Sequence, residues 1–252
     1  MDNMQLKNKI VWVTGAGQGI GKATALEFAR EGSNLIINDV NKQELDATAK
    51  MIKNLGVEVL SLQADITSQD QIKKLVNRSV KKFKKIDVLI NNAGITITKR
   101  FLEYTEKDWD LIFNVNLKGM FFCIKEVLPI MIKDNSGVII NFSSMTVKER
   151  YKYIVPYISS KFGVWGLTKS LIEELGDTKI KIYTIFPDGT DTKSLREKFP
   201  ETNFSSLMKP ANVAKRIIKI VKNNERIESG RDIHIRNLKQ KLARIKRFVI
   251  KD

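Results

Sequence analysis

Ile10-Val11-Trp12-Val13-Thr14-Gly15-Ala16-Gly17-Gln18-Gly19-Ile20-Gly21 is the stretch that decides how this chain is read. Its first four residues are continuously apolar, as a strand covered on both faces requires. Residues 22–30 carry a helical pattern. The glycine-rich turn between them brings backbone amides and the positive end of a helix up to a pyrophosphate without obstruction by Cβ atoms. The third glycine falls at Gly21, with Ile20 before it, so the spacing departs from the common G-x-G-x-x-G. Alone, such a turn also suits a purely structural role; its place after the first strand favours a nucleotide.

Outward from this turn, short apolar runs alternate with longer amphipathic ones, the mark of repeated βαβ units. Strands are expected at 10–13, 35–37, 57–62, 88–90, 138–142, 180–186 and, more weakly, 233–235. Helices are expected at 20–30, 42–54, 69–84, 106–132, 156–175 and 211–223. Right-handed crossovers then give an α/β fold, a doubly wound parallel sheet of about seven strands flanked by helices, with ligands at the carboxyl ends of the strands. No repeat or linker divides the chain, so residues 1–235 form a single domain and 236–252 an extension.

The chain has 252 residues, 42% of them hydrophobic and 29% charged, which fits one α/β domain. Cys123 is the only cysteine, so a disulfide framework is excluded, and no cluster of spaced Cys and His offers a zinc site. His234 is the only histidine. Acid–base chemistry therefore falls to Tyr, Lys, Ser or a carboxylate. The first residues lack the basic and apolar segments of a secretion signal, and no apolar run reaches the ~18 residues of a membrane span; a reducing cytoplasm is the expected location. The net charge is +16, and from Lys209 onward 14 basic residues face 4 acidic ones.

The second strand ends at Asn38-Asp39, where a carboxylate can accept hydrogen bonds from an adenosine ribose and repel a 2′-phosphate. No cation occupies positions 18, 38 or 40, so NAD is expected over NADP. The alternative is that Asp39 merely caps the next helix. Asp65-Ile66 after the third strand and Asn91-Asn92-Ala93-Gly94 after the fourth reach the same sheet edge. Small and amide residues there suit a backbone passing close to adenine and ribose, although such stretches are also ordinary turns.

At the other end of this edge, the fifth strand runs into Ser143-Ser144, and Tyr157 and Lys161 follow. Residues four apart share one helix face, so phenol and ammonium stand side by side. A fixed ammonium favours the ionised phenol and lowers its pKa from about 10. A lone Y-x-x-x-K is also common on solvated helices.

Taken together, Thr14-Gly15-x-x-x-Gly19-Ile20-Gly21, Asn91-Asn92-Ala93-Gly94, Asn116 within Asn114-Val115-Asn116-Leu117, Ser144 and Tyr157-x-x-x-Lys161 follow the order and spacing of the short-chain dehydrogenase/reductase family, which the chain resembles from about residue 8 to 235. The resemblance implies a Rossmann-type fold, a nicotinamide cofactor and interconversion of an alcohol and a carbonyl. It implies that Tyr157 passes the proton and that Lys161 holds the nicotinamide ribose and lowers the phenol's pKa. Ser144, thirteen residues before the tyrosine, binds the substrate oxygen. Asn116 orients a water linked to Lys161, or else marks only a helix kink. Homotetramers or homodimers built through the helices of Asn116 and Tyr157 are common in the family, and Phe121, Phe122, Trp165 and Leu171 lie there.

The chain departs from the family's Pro-Gly loop after the sixth strand, where Pro187-Asp188-Gly189-Thr190-Asp191-Thr192 stands. Pro187, Thr190 and Thr192 align with nicotinamide-contacting positions, and Asp191 argues against an anionic substrate. Residues 188–210 correspond to the variable substrate lid. In 236–252, Leu238, Leu242, Ile245 and Val249 recur at helical spacing among Lys and Arg. That extension suits packing on a neighbouring subunit better than a membrane surface or an acidic protein.

Three functions follow. The first is an NAD-dependent oxidoreductase of a small neutral substrate such as a polyol, sugar or secondary alcohol. The second is a 3-oxoacyl-thioester (acyl-carrier-protein) reductase, which usually prefers NADPH. The third is a cofactor-binding scaffold acting through its basic tail. Nucleic acid is not favoured as a partner, because no nucleic-acid motif accompanies the charge.

Overall fold

A computed structural model describes residues 4–236. Seven strands, β1 (Ile10–Thr14), β2 (Asn34–Asp39), β3 (Val59–Gln63), β4 (Val88–Asn91), β5 (Gly137–Phe142), β6 (Ile180–Pro187) and β7 (Asp232–Ile235), form one sheet in the order β3-β2-β1-β4-β5-β6-β7. Every pairing is parallel. The chain works outward from β1 to β3, then returns to β4 beside β1. This reversal opens a crevice at the carboxyl ends of β1 and β4.

Alternation along the strands divides the core in two. Val11, Val13, Leu35, Ile37 and Ile90 face α1 (Gly19–Arg30), α2 (Lys42–Lys53) and α8 (Pro210–Lys222). Trp12, Ile36, Leu89 and Ile139 face α3 (Gln69–Phe83), α5 (Met120–Lys133) and α6 (Val155–Leu175). These side chains are fully buried, which explains why the strands read as unbroken apolar runs. No helix among the described residues is long and apolar enough to cross a membrane.

Two features differ from the expected pattern. The helix anticipated over 106–132 is α4 (Glu106–Phe113), a π-helical segment Asn114–Gly119 and α5. The wider turn leaves the apolar period intact while rotating Asn116 inward. Within the lid, Thr192 caps a six-residue helix, α7 (Lys193–Lys198), by accepting from the Leu195 N–H. The extension beyond Arg236 lies outside the described residues.

A polar row runs across the site end of the sheet. Thr14 pairs in register with Asn38, Asn91 with Asn141, and Asn141 with Thr184. Asn91 donates to Asn141 at 2.8 Å, and Asn141 to Thr168 of α6 at 3.0 Å. These two bonds tie α6, the helix of Tyr157 and Lys161, to the central strands, while Asn91 Oδ1 and Thr184 Oγ1 are buried without a hydrogen-bond partner.

Candidate active site

The glycine turn and the loop after β4 are built as one unit. Thr14 Oγ1 accepts the N–H groups of Asn92 (3.1 Å) and Ala93 (3.0 Å), and Asn92 Nδ2 donates to the carbonyls of Thr14 (2.9 Å) and Gly15 (3.1 Å). Gly15 takes φ of 63°, and a Cβ there would stand 2.9 Å from Ala93 Cα. The Asn92 side chain thus braces the turn, leaving backbone rather than amide at the groove. Thr14, part of the motif but given no role in the sequence, is the hub of this lock. Thr14→Val is expected to lower stability by about 1–3 kcal/mol by orphaning the part-buried Ala93 N–H, while the Asn92 N–H keeps its second acceptor, the Ile90 carbonyl at 3.0 Å, read as a fall in Tm; an unchanged Tm contradicts the lock.

Gln18 precedes α1 in an extended conformation with no capping bond, and Ile20 packs on the core behind it. Asp39 Oδ2 accepts the Gly17 N–H at 2.9 Å and Oδ1 the Asn41 N–H at 3.0 Å. The cap of α2 is Asn41, which accepts from the Glu44 N–H. Asp39 is therefore held against the glycine turn rather than spent as the helix cap. Asn38 turns away into the core, between Trp12 Nε1 and the Ala64 carbonyl. Asp65 caps its own loop through Thr67, and Ile66 is buried. The turn's close backbone packing and the Asp39 carboxylate beside it fit a dinucleotide.

At the reacting end, the Ser144 hydroxyl lies close enough to the Tyr157 phenol to draw its pKa down, and it accepts from the Thr146 N–H at 3.2 Å. Ser143 faces elsewhere, donating to the Lys161 carbonyl, so the structure separates the two serines as the spacing does. Lys161 is 4% exposed, and its Nζ donates to the Phe142 carbonyl at 2.8 Å. Asn116 brackets Ile95, accepting from its N–H at 2.7 Å and donating to its carbonyl and to Ser160 Oγ, each at 3.0 Å. Both Lys161 Nζ and Asn116 Oδ1 lie beside Gly94, at 3.4 and 3.2 Å from where a Cβ would stand. Asn116 is thus a clamp between the β4 loop and α6.

One expectation changes. Burial raises the Tyr157 pKa, with the Ser144 hydroxyl opposing it. Lys161, 5.8 Å from the ring centroid, is not among the causes. Burial lowers Lys161 itself to about 8. The phenol is therefore protonated through neutral pH, suited to giving a proton. Carbonyl reduction is expected to hold its rate through neutral pH and to decline above about pH 8, where Lys161 loses its charge. A kcat profile that climbs with pH contradicts this.

The lid base closes through Thr190, which bridges to Met208, and through Asp188, whose N–H donates to the Ile235 carbonyl. Asp188, in place of the family's glycine, accepts the Gly189 N–H on its own carboxylate, so the loop keeps an ordered path after Pro187. Asp191 accepts both Arg196 (2.6 and 3.0 Å) and Lys209 (2.9 Å), which hold its carboxyl at about 2. Its charge is spent inside the lid, and the argument from Asp191 against an anionic substrate falls away. Thr192 is the threonine that reaches the nucleotide end, its methyl 3.4 Å from the Cβ position of Gly19.

This arrangement, a glycine turn at a strand-order reversal with a serine, tyrosine and lysine converging beside it, is matched by a family model described as short chain dehydrogenase over residues 9–203. The chain belongs to the short-chain dehydrogenase family. It is an oxidoreductase acting on alcohol or carbonyl groups. The 3-oxoacyl-[acyl-carrier-protein] reductase FabG of Thermotoga maritima is 38% identical over 240 residues, 92% of this chain and 98% of that protein. A protein of the same description from Staphylococcus epidermidis is 33% identical, covering 90% and 97%. A solved structure of levodione reductase superposes with a TM-score of 0.85 at 26% identity, covering 91% and 96%. The doubly wound, Rossmann-type sheet expected from the sequence is the fold found.

Proposed function

We propose that this dehydrogenase reduces the ketone of a 3-oxoacyl thioester, taking its hydride from NADH. The observation that carries the reading is the Ser144, Tyr157 and Lys161 set in a chain whose full-length curated relatives are described as 3-oxoacyl reductases. A bound nicotinamide supplies the hydride. Ser144 Oγ and the Tyr157 hydroxyl hold the ketone oxygen, and Tyr157 gives its proton to that oxygen as the alcohol forms. Lys161, seated under the groove, holds the nicotinamide ribose, and Asn116 keeps the Gly94 loop in place beside it. Asp39 at the glycine turn supports NADH, because a 2′-phosphate would meet its carboxylate. Trp109 and Phe121 on α4 and α5, and Phe162 on α6, are exposed and support assembly into a homotetramer or homodimer; Trp165 is committed to an edge-on contact with Phe186.

The likeness to levodione reductase favours a second reading, a small neutral carbonyl or alcohol. Steady-state assays with NADH against acetoacetyl-CoA and against secondary alcohols and polyols with NAD separate the two. Turnover of the thioester well above that of the alcohols supports the proposal. Turnover of the alcohols alone restores the small neutral substrate.

A further inference from the structure

The geometry points to a clamp: Lys193 and Glu44 are positioning residues that bar the lid across the nucleotide groove, so that their ion pair sets how long the cofactor stays. This rests on the reading of the groove as an NADH site. Helix α7 is a short rod tied at both ends. At its first residue, Lys193 Nζ pairs with Glu44 of α2 at 3.1 Å. At its last, Lys198 Nζ donates to the carbonyl of Thr96, two residues past Gly94. Glu44 belongs to the ribose side of the groove: the Cβ position of Gly17 lies 2.9 Å from Asp39 Oδ2 and 3.2 Å from Glu44 Cβ. Thr96 belongs to the reacting side.

The rod therefore spans the groove from one bank to the other, with Thr192 resting over Gly19 between them. Five helical steps rise about 7.5 Å, and an extended lysine at each end supplies the remaining reach. Within the lid, Asp191 is committed to Arg196 and Lys209, while Glu197 stands close enough to add to the field that Glu44 places on Lys193. A dinucleotide cannot leave such a groove until one tie parts. The Lys193–Glu44 tie is the one open to control by salt, because its side chains keep 64% and 29% of their exposure and exposed pairs are screened.

The test is the NADH dissociation rate, measured by stopped-flow loss of nicotinamide fluorescence on mixing with excess NAD. Exposed pairs of this kind hold about 0.2–1 kcal/mol, so Glu44→Gln and Lys193→Met are each expected to speed release about 1.4- to fivefold. Raising KCl to about 1 M, where screening acts within about 3 Å, is expected to speed release from the wild type more than from either variant. The charge-swapped double variant Glu44→Lys with Lys193→Glu is expected to return the rate toward wild type, which a merely structural role for either residue would not produce. Release rates and salt responses equal to wild type in all three variants overturn the clamp while leaving the NADH site standing. A wild type that binds no NADH overturns both.

Discussion

Replacing Tyr157 with Phe is expected to reduce kcat by about 10²–10⁴-fold, the usual share of a positioned proton donor, with NADH binding close to wild type. The substitution removes one oxygen. The ring keeps its place 5.8 Å from Lys161 Nζ, and the ties that shape the groove, among Thr14, Asn92, Asn116 and Ser160, do not pass through the phenol. Among the described residues, no other group is placed to take over. Ser143 is turned onto the Lys161 carbonyl, and His234 lies at β7 against Met145 Sδ and the Phe186 ring. Tyr151 and Tyr153 sit exposed on the outer loop, the Tyr153 carbonyl accepting from Tyr104. Turnover in Tyr157→Phe within tenfold of wild type would show that the proton comes from elsewhere.

Gly21→Ala is expected to have the largest effect on the fold near the site. A Cβ at Gly21 would stand 2.1 Å from the Gly15 carbonyl oxygen and 2.4 Å from Asn92 Nδ2. Neither neighbour can yield cheaply, because the two are already hydrogen-bonded to each other at 3.1 Å. Overpacking of this kind costs about 1–3 kcal/mol or more, and a chain of this size loses about 2–4 °C of Tm per kcal/mol. NADH binding is expected to weaken in parallel, since the displaced atoms form the turn. Gly166→Ala on α6 serves as the control: nothing lies within 4 Å of its Cβ position, and alanine in a helix is favoured over glycine by about 1 kcal/mol. Equal thermal shifts in the two variants would remove close packing as the reason for glycine at position 21.

These two residues were legible in the sequence for different reasons. Gly21 belongs to a turn whose backbone spacing is local, and Tyr157 with Lys161 is a helical repeat of four. The strands were legible because burial on both faces leaves only apolar residues in them. What spacing does not carry is solvent exposure: proximity to an ammonium points to a lowered Tyr157 pKa, whereas burial raises it. The π-helical turn at Asn116 also escaped, because one wider turn hardly disturbs an apolar period over 106–132. Helix α7 is too short to show a period at all. Its partners are farther still from view, since Lys193 and Glu44 are 149 positions apart and only the fold brings them together. Asp39 was legible as a carboxylate at the end of β2, and the structure adds that it is gripped by the Gly17 and Asn41 amides.

The most direct test of the central claim, that this groove holds NADH for carbonyl reduction, is a side-by-side titration of the purified protein with NADH and NADPH, followed by nicotinamide fluorescence at physiological salt. Tighter binding of NADH is the predicted result, with the Asp39 carboxylate disfavouring the 2′-phosphate. Tighter binding of NADPH would contradict the role given to Asp39, and failure to bind either nucleotide would contradict the account of the site as a whole.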